Sequence, residues 1–204
     1  MKRRYGLFSL GVGAVLLGTS LDAPAPTTTP ITLQSLQTQL NDRYTKAEID
    51  AKFCVPAKLK RYCDNGDGTV TDTRTNLVWL KNANCLAMSP ANWQTAMNNA
   101  AALANGTCGL TDGSQAGFWR LPLIGEWQAM VDQRFGDPAL SNAAGTGRWT
   151  EGDAFFGVQS TDYWSSSSVV GDPGGAWDVS LSGGGVSTLG KTYPLYVWPV
   201  RGEQ

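Results

Sequence analysis

Histidine is absent from the 204-residue chain, and charged residues make up only 16% of it. Without histidine there can be no Ser-His-Asp triad, no Cys-His nucleophile pair and no zinc site of mixed cysteine and histidine ligands. Lysine and arginine number 16 against 17 aspartates and glutamates, so the net charge is −1. Because nucleic-acid phosphates require a basic surface, we predict no nucleic-acid partner. The sequence also shows no recognisable catalytic set, cofactor motif or metal site.

An uncharged run near the N-terminus indicates export. Residues 2–4 are all basic, residues 5–21 carry no charge, and small residues follow at 23 and 25. This order is typical of a signal peptide, which we expect to span residues 1–25. A retained membrane anchor is the alternative, although a bilayer span needs about 20 apolar residues. We therefore predict a periplasmic, cell-surface or secreted protein that has no membrane span after cleavage.

The four cysteines fit an exported chain with two disulfides. They are Cys54, Cys63, Cys85 and Cys108, an even number that allows three pairings. We favour Cys54–Cys63 and Cys85–Cys108, since each bond then closes a local loop. Free thiols are the alternative reading, but no histidine is present to activate a thiolate.

Residues 26–53 combine a Pro/Thr-rich linker with a short helical pattern. Leu33, Leu36 and Leu40 lie at helical spacing, and residues 45–48 form a capping box before Ile49 and Phe53. A helix this short is not stable alone in water. It either forms a stalk in which three chains bury their apolar stripes together or packs on its own domain, and both interpretations stay open.

Residues 54–204 read as one α+β domain with two helices and a small, mainly antiparallel sheet. Ser89 and Pro90 begin the first predicted helix and Gly106 ends it. Its predicted buried stripe is Trp93, Met97, Ala100, Ala101 and Ala104. The second helix is expected over residues 123–132. Strands are expected at 69–72, 77–80, 163–167, 176–181, 186–189 and 195–200.

Several motifs occur in a fixed order along this domain. They are DNGDGTVTD (64–72) and LVW (77–79), FWRLP (118–122) and EW (126–127), and finally YWSSS (163–167), AWDV (176–179) and PVRG (199–202). In this order they resemble the C-terminal domain family of the Legionella collagen-like adhesin. The resemblance implies a C-type lectin-like fold and an exported head domain, trimeric in the adhesin, that binds sulfated polysaccharide.

The charge of this domain differs from what sulfated chains require. Residues 54–204 contain ten lysines and arginines against thirteen aspartates and glutamates, a balance of −3. The one basic cluster that is local in sequence is Lys58, Lys60 and Arg61. The charge therefore favours a neutral glycan or a protein ligand.

The RLP and EW motifs are also similar to formylglycine-generating enzymes of the same fold. As that family uses it, the chemistry needs a copper-holding cysteine pair near the C-terminal end. The last cysteine here is Cys108, so we expect no enzyme of this type.

Three polar motifs have both a structural and a functional interpretation. Residues 64–72 suit a tight hairpin turn, with a calcium loop as the alternative. Glu126 suits a carboxylate that bonds backbone or Arg120, with a catalytic acid as the alternative. Residues 165–168 suit a strand with polar faces, with Ser-Lys catalysis involving Lys191 as the alternative.

The ligand site is expected in the loops. Trp149 lies in a polar, Gly-rich stretch within the long segment 134–162, where an indole could stack on a sugar or instead plug its loop onto the core. The predicted ligand-binding residues are Arg148, Trp149, Asp153, Asp172, Lys191 and Tyr193. We therefore expect a non-enzymatic recognition or adhesion domain that binds glycan. The alternative is a structural or assembly module that binds a protein partner in the envelope or a fibre.

Overall fold

The computed structural model describes Gln34, Thr38 and residues 60–85 and 90–202. Residues 60–85 and 90–202 form two helices and seven strands, and the strands are arranged as two antiparallel sheets. This confirms the α+β class, but the expectation of a single sheet was wrong. Gln34 and Thr38 are helical and exposed, and the Thr38 hydroxyl donates to the Gln34 carbonyl at 2.9 Å. The predicted signal peptide and the apolar positions of the stalk lie outside the described residues.

The first sheet has four strands in the order β1-β2-β3-β7. The strands are β1 (Tyr62–Asp64), β2 (Thr69–Asp72), β3 (Leu77–Leu80) and β7 (Val200–Gly202). Gly66 and Gly68 adopt φ angles of 76° and 88° between β1 and β2, which glycine reaches without steric cost. The predicted hairpin at residues 64–72 is confirmed.

The second sheet has three strands in the order β4-β5-β6. The strands are β4 (Asp162–Val169), β5 (Asp172–Ser180) and β6 (Gly185–Gly190). The strand expected at residues 195–200 was wrong, since β7 begins only at Val200. Leu195 instead forms an isolated bridge to Ala91, and Tyr196 forms one to Tyr163. The segment is extended because it exchanges hydrogen bonds with several elements in turn.

The two helices are α1 (Trp93–Ala102) and α2 (Ile124–Met130). The side chain of Asn92 caps α1 by accepting a hydrogen bond from the Thr95 N–H at 2.9 Å, as N-cap residues do. Ala96 and Ala100 are buried along α1, whereas Ala101 is exposed. The predicted stripe was therefore wrong at Ala101, and the helix ends four residues before Gly106.

An aromatic cluster forms the centre of the core between the sheets. The ring of Trp198 lies 5.0 to 5.9 Å from four other buried rings, those of Trp79, Trp127, Phe155 and Tyr163. The Trp198 indole N–H donates to the Leu80 carbonyl at 2.7 Å. Such tilted and edge-on ring pairs add to the free energy gained by burial.

The predicted Cys85–Cys108 disulfide is confirmed, with the two Cα atoms 5.6 Å apart. Cys63 is also disulfide-bonded, and its predicted partner Cys54 lies outside the described residues. Across the residues that the structure describes, no cysteine is free. No helix in the same part of the chain is long and apolar enough to cross a membrane.

Candidate functional site

A groove of about 510 Å³ opens at the N-terminal end of α1; we call it the α1 groove. It is lined by Asn92, Trp93, Gln94, Pro173, Lys191 and Thr192. Its wall combines an aromatic ring and a proline with amide, hydroxyl and ammonium groups. Such a mixture is typical of small-ligand sites, in which apolar surface supplies contact and a few polar groups supply orientation.

The chain after β6 forms one wall of the α1 groove because it docks on the start of α1. The Trp93 N–H donates to the Lys191 carbonyl at 3.0 Å. Ala91 and Leu195 exchange two backbone hydrogen bonds of 2.9 and 3.1 Å. These bonds hold residues 191–195 beside the first turn of the helix, so the groove is part of the fold.

The ammonium group of Lys191 is fixed inside the groove. Its Nζ donates to the Ser168 hydroxyl and to the Pro173 carbonyl, both at 2.9 Å. It also lies 4.3 Å from the centre of the Trp93 ring, in a cation–π contact. In this geometry the Lys191 Nζ is the donor and the Ser168 hydroxyl is the acceptor.

Tyr193 and Asp172 lie close to the same groove. Tyr193 is 57% exposed, and its ring lies next to Gly190, where an added Cβ would be 3.5 Å from it. Asp172 is exposed, and one of its carboxylate oxygens accepts the Gly174 N–H at 3.0 Å. Of the six predicted ligand residues, Lys191 lines the groove, and Asp172 and Tyr193 are next to the lining residues Pro173 and Thr192 in the chain.

The other three predicted residues serve their own loop. Trp149 is only 9% exposed and belongs to the core, which agrees with the alternative that it plugs its loop onto the core. The Arg148 guanidinium donates to the Asp137 carbonyl. The Asp153 carboxylate accepts the Ala143 N–H at 2.6 Å. The polar side chains of Arg148 and Asp153 are therefore engaged by backbone groups of the segment 134–162 itself.

Trp93 is the site residue that the sequence analysis placed in the core. Its ring is only partly buried, and its indole N–H donates to the Ser165 carbonyl at 2.8 Å. Trp93 directly follows the N-cap residue Asn92. At this end of the helix, one side of its ring is not covered by the residues that the structure describes. The Ser-Pro-Ala-Asn sequence before Trp93 could have placed it at this open end.

A second groove, of about 620 Å³, lies between the end of α2 and the start of β6; we call it the α2–β6 groove. Its lining includes Arg74, Gln128, Val131, Arg134, Gly184 and Val186. Arg74 and Arg134 are exposed, whereas Asp132 is buried and pairs with Arg134 at 2.6 Å. The accessible charge of this groove is therefore positive.

Arg61, which belongs to the one basic cluster that is local in sequence, is buried. It is 3% exposed, and its Nη2 donates to the Ala129 and Met130 carbonyls at 2.7 Å each. The same nitrogen lies 3.6 Å from Asp72 Oδ2. Arg61 thus caps the C-terminal end of α2, where the helix dipole favours a cation.

The sequence model of the Lcl C-terminal domain family matches residues 68–201. The chain belongs to this family. No curated protein matches it, and neither does any solved structure. The matched range contains every residue that lines the two grooves. Membership of this family and the Cys85–Cys108 disulfide together indicate an exported, adhesin-related domain.

In this Lcl C-terminal domain the RLP and EW motifs form an ion pair. Arg120 Nη1 and Nη2 donate to the two carboxylate oxygens of Glu126 at 2.7 and 2.6 Å. The Leu123 N–H donates to the same carboxylate at 2.7 Å. Burial opposes ionisation of Glu126, but the bonds from Arg120 and Leu123 outweigh it and hold the pKa of Glu126 below its usual range. The structural interpretation of Glu126 is confirmed.

Glu126→Gln should lower the free energy of unfolding by about 1 kcal/mol at pH 7, since Arg120 is partly exposed and screened. The lowered pKa makes this contribution complete above the ordinary value of 4.5 and removes it as the pH falls through the folded-state pKa. Urea unfolding at pH 7 and pH 3 measures both effects. An equal difference between wild type and variant at the two pH values would contradict this assignment.

The carboxylates of the Lcl hairpin turn are used by the protein itself. Asp64 Oδ1 accepts the Gly66 N–H at 3.0 Å, and Asp67 Oδ1 accepts the Thr69 hydroxyl at 2.6 Å. Asp64 also forms a 2.5 Å ion pair with Lys81. Within residues 60–85 and 90–202, no group of three or more acidic or cysteine residues could hold a metal ion.

Proposed function

We propose that this Lcl C-terminal domain is an exported, non-enzymatic recognition module of C-type lectin-like fold that binds glycan in the α1 groove. The observation that carries the proposal is the Lys191 ammonium fixed against the partly buried Trp93 ring in the groove, with the exposed Tyr193 next to the lining residue Thr192 in the chain. The backbone bonds between residues 191–195 and α1 preorganise these groups. Preorganisation lowers the conformational entropy that the protein must lose when a ligand binds.

The polar groups of the groove match the needs of a sugar. Lys191 and the Asn92 amide supply donors, since the Asn92 carbonyl oxygen is already taken by the N-cap bond. Asp172 supplies a carboxylate oxygen that accepts hydroxyl protons. The aromatic ring of Tyr193 offers an apolar face for the C–H side of a pyranose. One lysine and one aspartate leave the site close to neutral, which favours neutral glycans.

The weak affinity of a single small groove would be raised by linking several copies. We propose that residues 26–53 form a stalk that brings three domains together at the cell surface, in the periplasm or outside the cell. Linked sites raise the effective concentration of the second and third contacts. Sizing the mature chain with and without residues 27–53 tests this step, and a monomer in both cases would contradict it.

Tyr193→Ala should weaken glycan binding by roughly tenfold, because an exposed aromatic ring at the edge of a small site can supply much of the contact with a sugar. The full chain, produced so that its disulfides form, is first screened on an array of neutral and acidic glycans. The affinity of wild type and variant for the best-bound glycan is then measured by calorimetry.

Phe156→Ala is the matched control, because Phe156 is also an exposed aromatic residue, at 40%, and neither Phe156 nor its neighbours in the chain line the groove. It should bind as the wild type does. Equal loss in both variants would overturn the assignment to the α1 groove. No binding to any glycan would overturn glycan recognition and favour the assembly role, in which the domain binds a protein partner in the envelope or a fibre.

A further inference from the structure

The outer edges of β1, β7 and β4 are each covered by other segments of the chain. At β1, the Arg61 and Tyr62 N–H groups donate to the Ala143 carbonyl at 2.7 and 3.0 Å. At β7, Val200 exchanges two hydrogen bonds with Arg120, of 3.0 and 2.9 Å. These contacts occupy backbone groups that would otherwise be open to pairing.

The two edges of the second sheet differ from each other. At β4, the Trp164 N–H donates to the Tyr196 carbonyl at 3.0 Å and the Ser166 N–H to the Pro122 carbonyl at 2.7 Å. The β4–β5 pairing also has register shifts near Ser168. In contrast, β6 pairs only with β5, and in the described part of the chain no strand or bridge lies on its other side.

β6 also lacks the features that usually protect an edge strand. Its sequence, Gly-Val-Ser-Thr-Leu-Gly, contains no charge and no proline. Its six residues pair with β5 in continuous register, without a bulge. Ser187 and Thr188 in its middle are exposed. Soluble proteins normally blunt a regular, uncharged edge with lysine, proline or a bulge, because it accepts another strand readily.

The α2–β6 groove adjoins the first half of this strand. Val131 and Val186 supply apolar lining, and the exposed cations Arg74 and Arg134 also line this groove. The carboxylates packed against these elements are already engaged: Asp132 bonds Arg134, and the buried Asp178 accepts the Ser187 hydroxyl at 2.8 Å. The exposed charge beside the β6 edge is therefore positive.

We infer that the outer edge of β6 and the α2–β6 groove bind an extended, acidic segment of a partner protein by strand addition. Backbone hydrogen bonds to β6 supply affinity, an apolar side chain of the segment enters between Val131 and Val186, and its acidic end meets Arg74 and Arg134. The α2–β6 groove shares no lining residue with the α1 groove, although β6 ends at Gly190, directly before Lys191. The outcome of the glycan-binding experiments therefore does not decide this inference.

The test uses the full chain and a synthetic eight-residue peptide of alternating threonine and valine that ends in two aspartates. Two further peptides carry N-methyl groups on alternate residues, one along each edge of the extended strand. NMR titration should shift the amide signals of residues 185–190. One methylated peptide should bind as the parent does and the other at least tenfold more weakly, because only one peptide edge pairs with β6.

Arg74→Gln should weaken binding of the acidic peptide roughly threefold, and a peptide with two terminal lysines should bind the wild type more weakly. Four results would overturn the inference: no shift of the β6 amides at millimolar peptide, equal binding of both methylated peptides, protection of the outward β6 amides from hydrogen exchange in the free chain, or dimerisation through β6. The third would mean that another segment of the same chain covers the edge.

Discussion

Replacing Arg61 by methionine should lower the free energy of unfolding by about 3–5 kcal/mol, the usual cost of breaking a buried charge pair. The variant would leave the Ala129 and Met130 carbonyls without their donor. It would also leave the buried Asp72 carboxylate without its neighbouring cation. Urea unfolding followed by tryptophan fluorescence measures the loss.

The pH dependence distinguishes this mechanism from simple loss of packing. Burial already raises the pKa of Asp72 above its usual range, and removal of Arg61 should raise it further. The cost of the ionised Asp72 would then disappear as the pH falls through this raised pKa. The free energies of unfolding of wild type and Arg61→Met should therefore differ less at pH 4 than at pH 7.

Arg74→Met, at an exposed arginine, is the control and should change the free energy of unfolding by less than about 0.5 kcal/mol. A loss below 1 kcal/mol for Arg61→Met, or a difference that does not depend on pH, would contradict the assignment.

Replacing Trp198 by alanine should lower the free energy of unfolding by about 3–5 kcal/mol, because it leaves a cavity at the centre of the core. Trp198 is fully buried and contacts the rings of Trp79, Trp127, Phe155 and Tyr163. The same urea unfolding experiment, followed by circular dichroism because a tryptophan is removed, measures the change.

Trp198→Phe is the informative companion variant. It keeps much of the ring packing but leaves the Leu80 carbonyl without the indole donor, at a cost of about 1–3 kcal/mol. Tyr193→Ala is the control at an exposed aromatic residue and should stay within about 0.5 kcal/mol of wild type. Equal stability of Trp198→Ala and Tyr193→Ala would contradict the proposed core.

Part of this fold could be predicted from sequence because it depends on residues that are close together in the chain. The hairpin at residues 64–72 could be predicted because Gly66 and Gly68 supply the positive φ angles that its turn needs. The Cys85–Cys108 bond could be predicted because the two residues flank one helix. The role of Glu126 could be predicted because its partner Arg120 is only six residues away.

Features that depend on distant partners could not be read in the same way. The acceptors of the buried Arg61 lie 68 and 69 residues further along the chain. Its burial could therefore not be predicted from the neighbouring sequence. Trp149 is surrounded by polar and glycine residues in sequence, yet it packs into the core. For the same reason the strand expected at residues 195–200 is divided between bridges to Ala91 and Tyr163.

The same distinction between local and distant partners applies to the candidate site. Asp172, Lys191 and Tyr193 could be proposed because each is a polar or aromatic residue in a predicted loop. Their association with Trp93 and Asn92 depends on the docking of residues 191–195 on α1, which no short-range pattern encodes. The α2–β6 groove was missed altogether because Arg74 and Arg134 are 60 positions apart.

An NMR titration of the full chain with its best-bound glycan tests the central claim most directly. Recognition in the α1 groove predicts amide shifts at Asn92–Gln94 and at residues 191–193, with the signals of residues 140–150 unchanged. Shifts concentrated at residues 140–150, or a bound glycan that leaves residues 191–193 undisturbed, would contradict it.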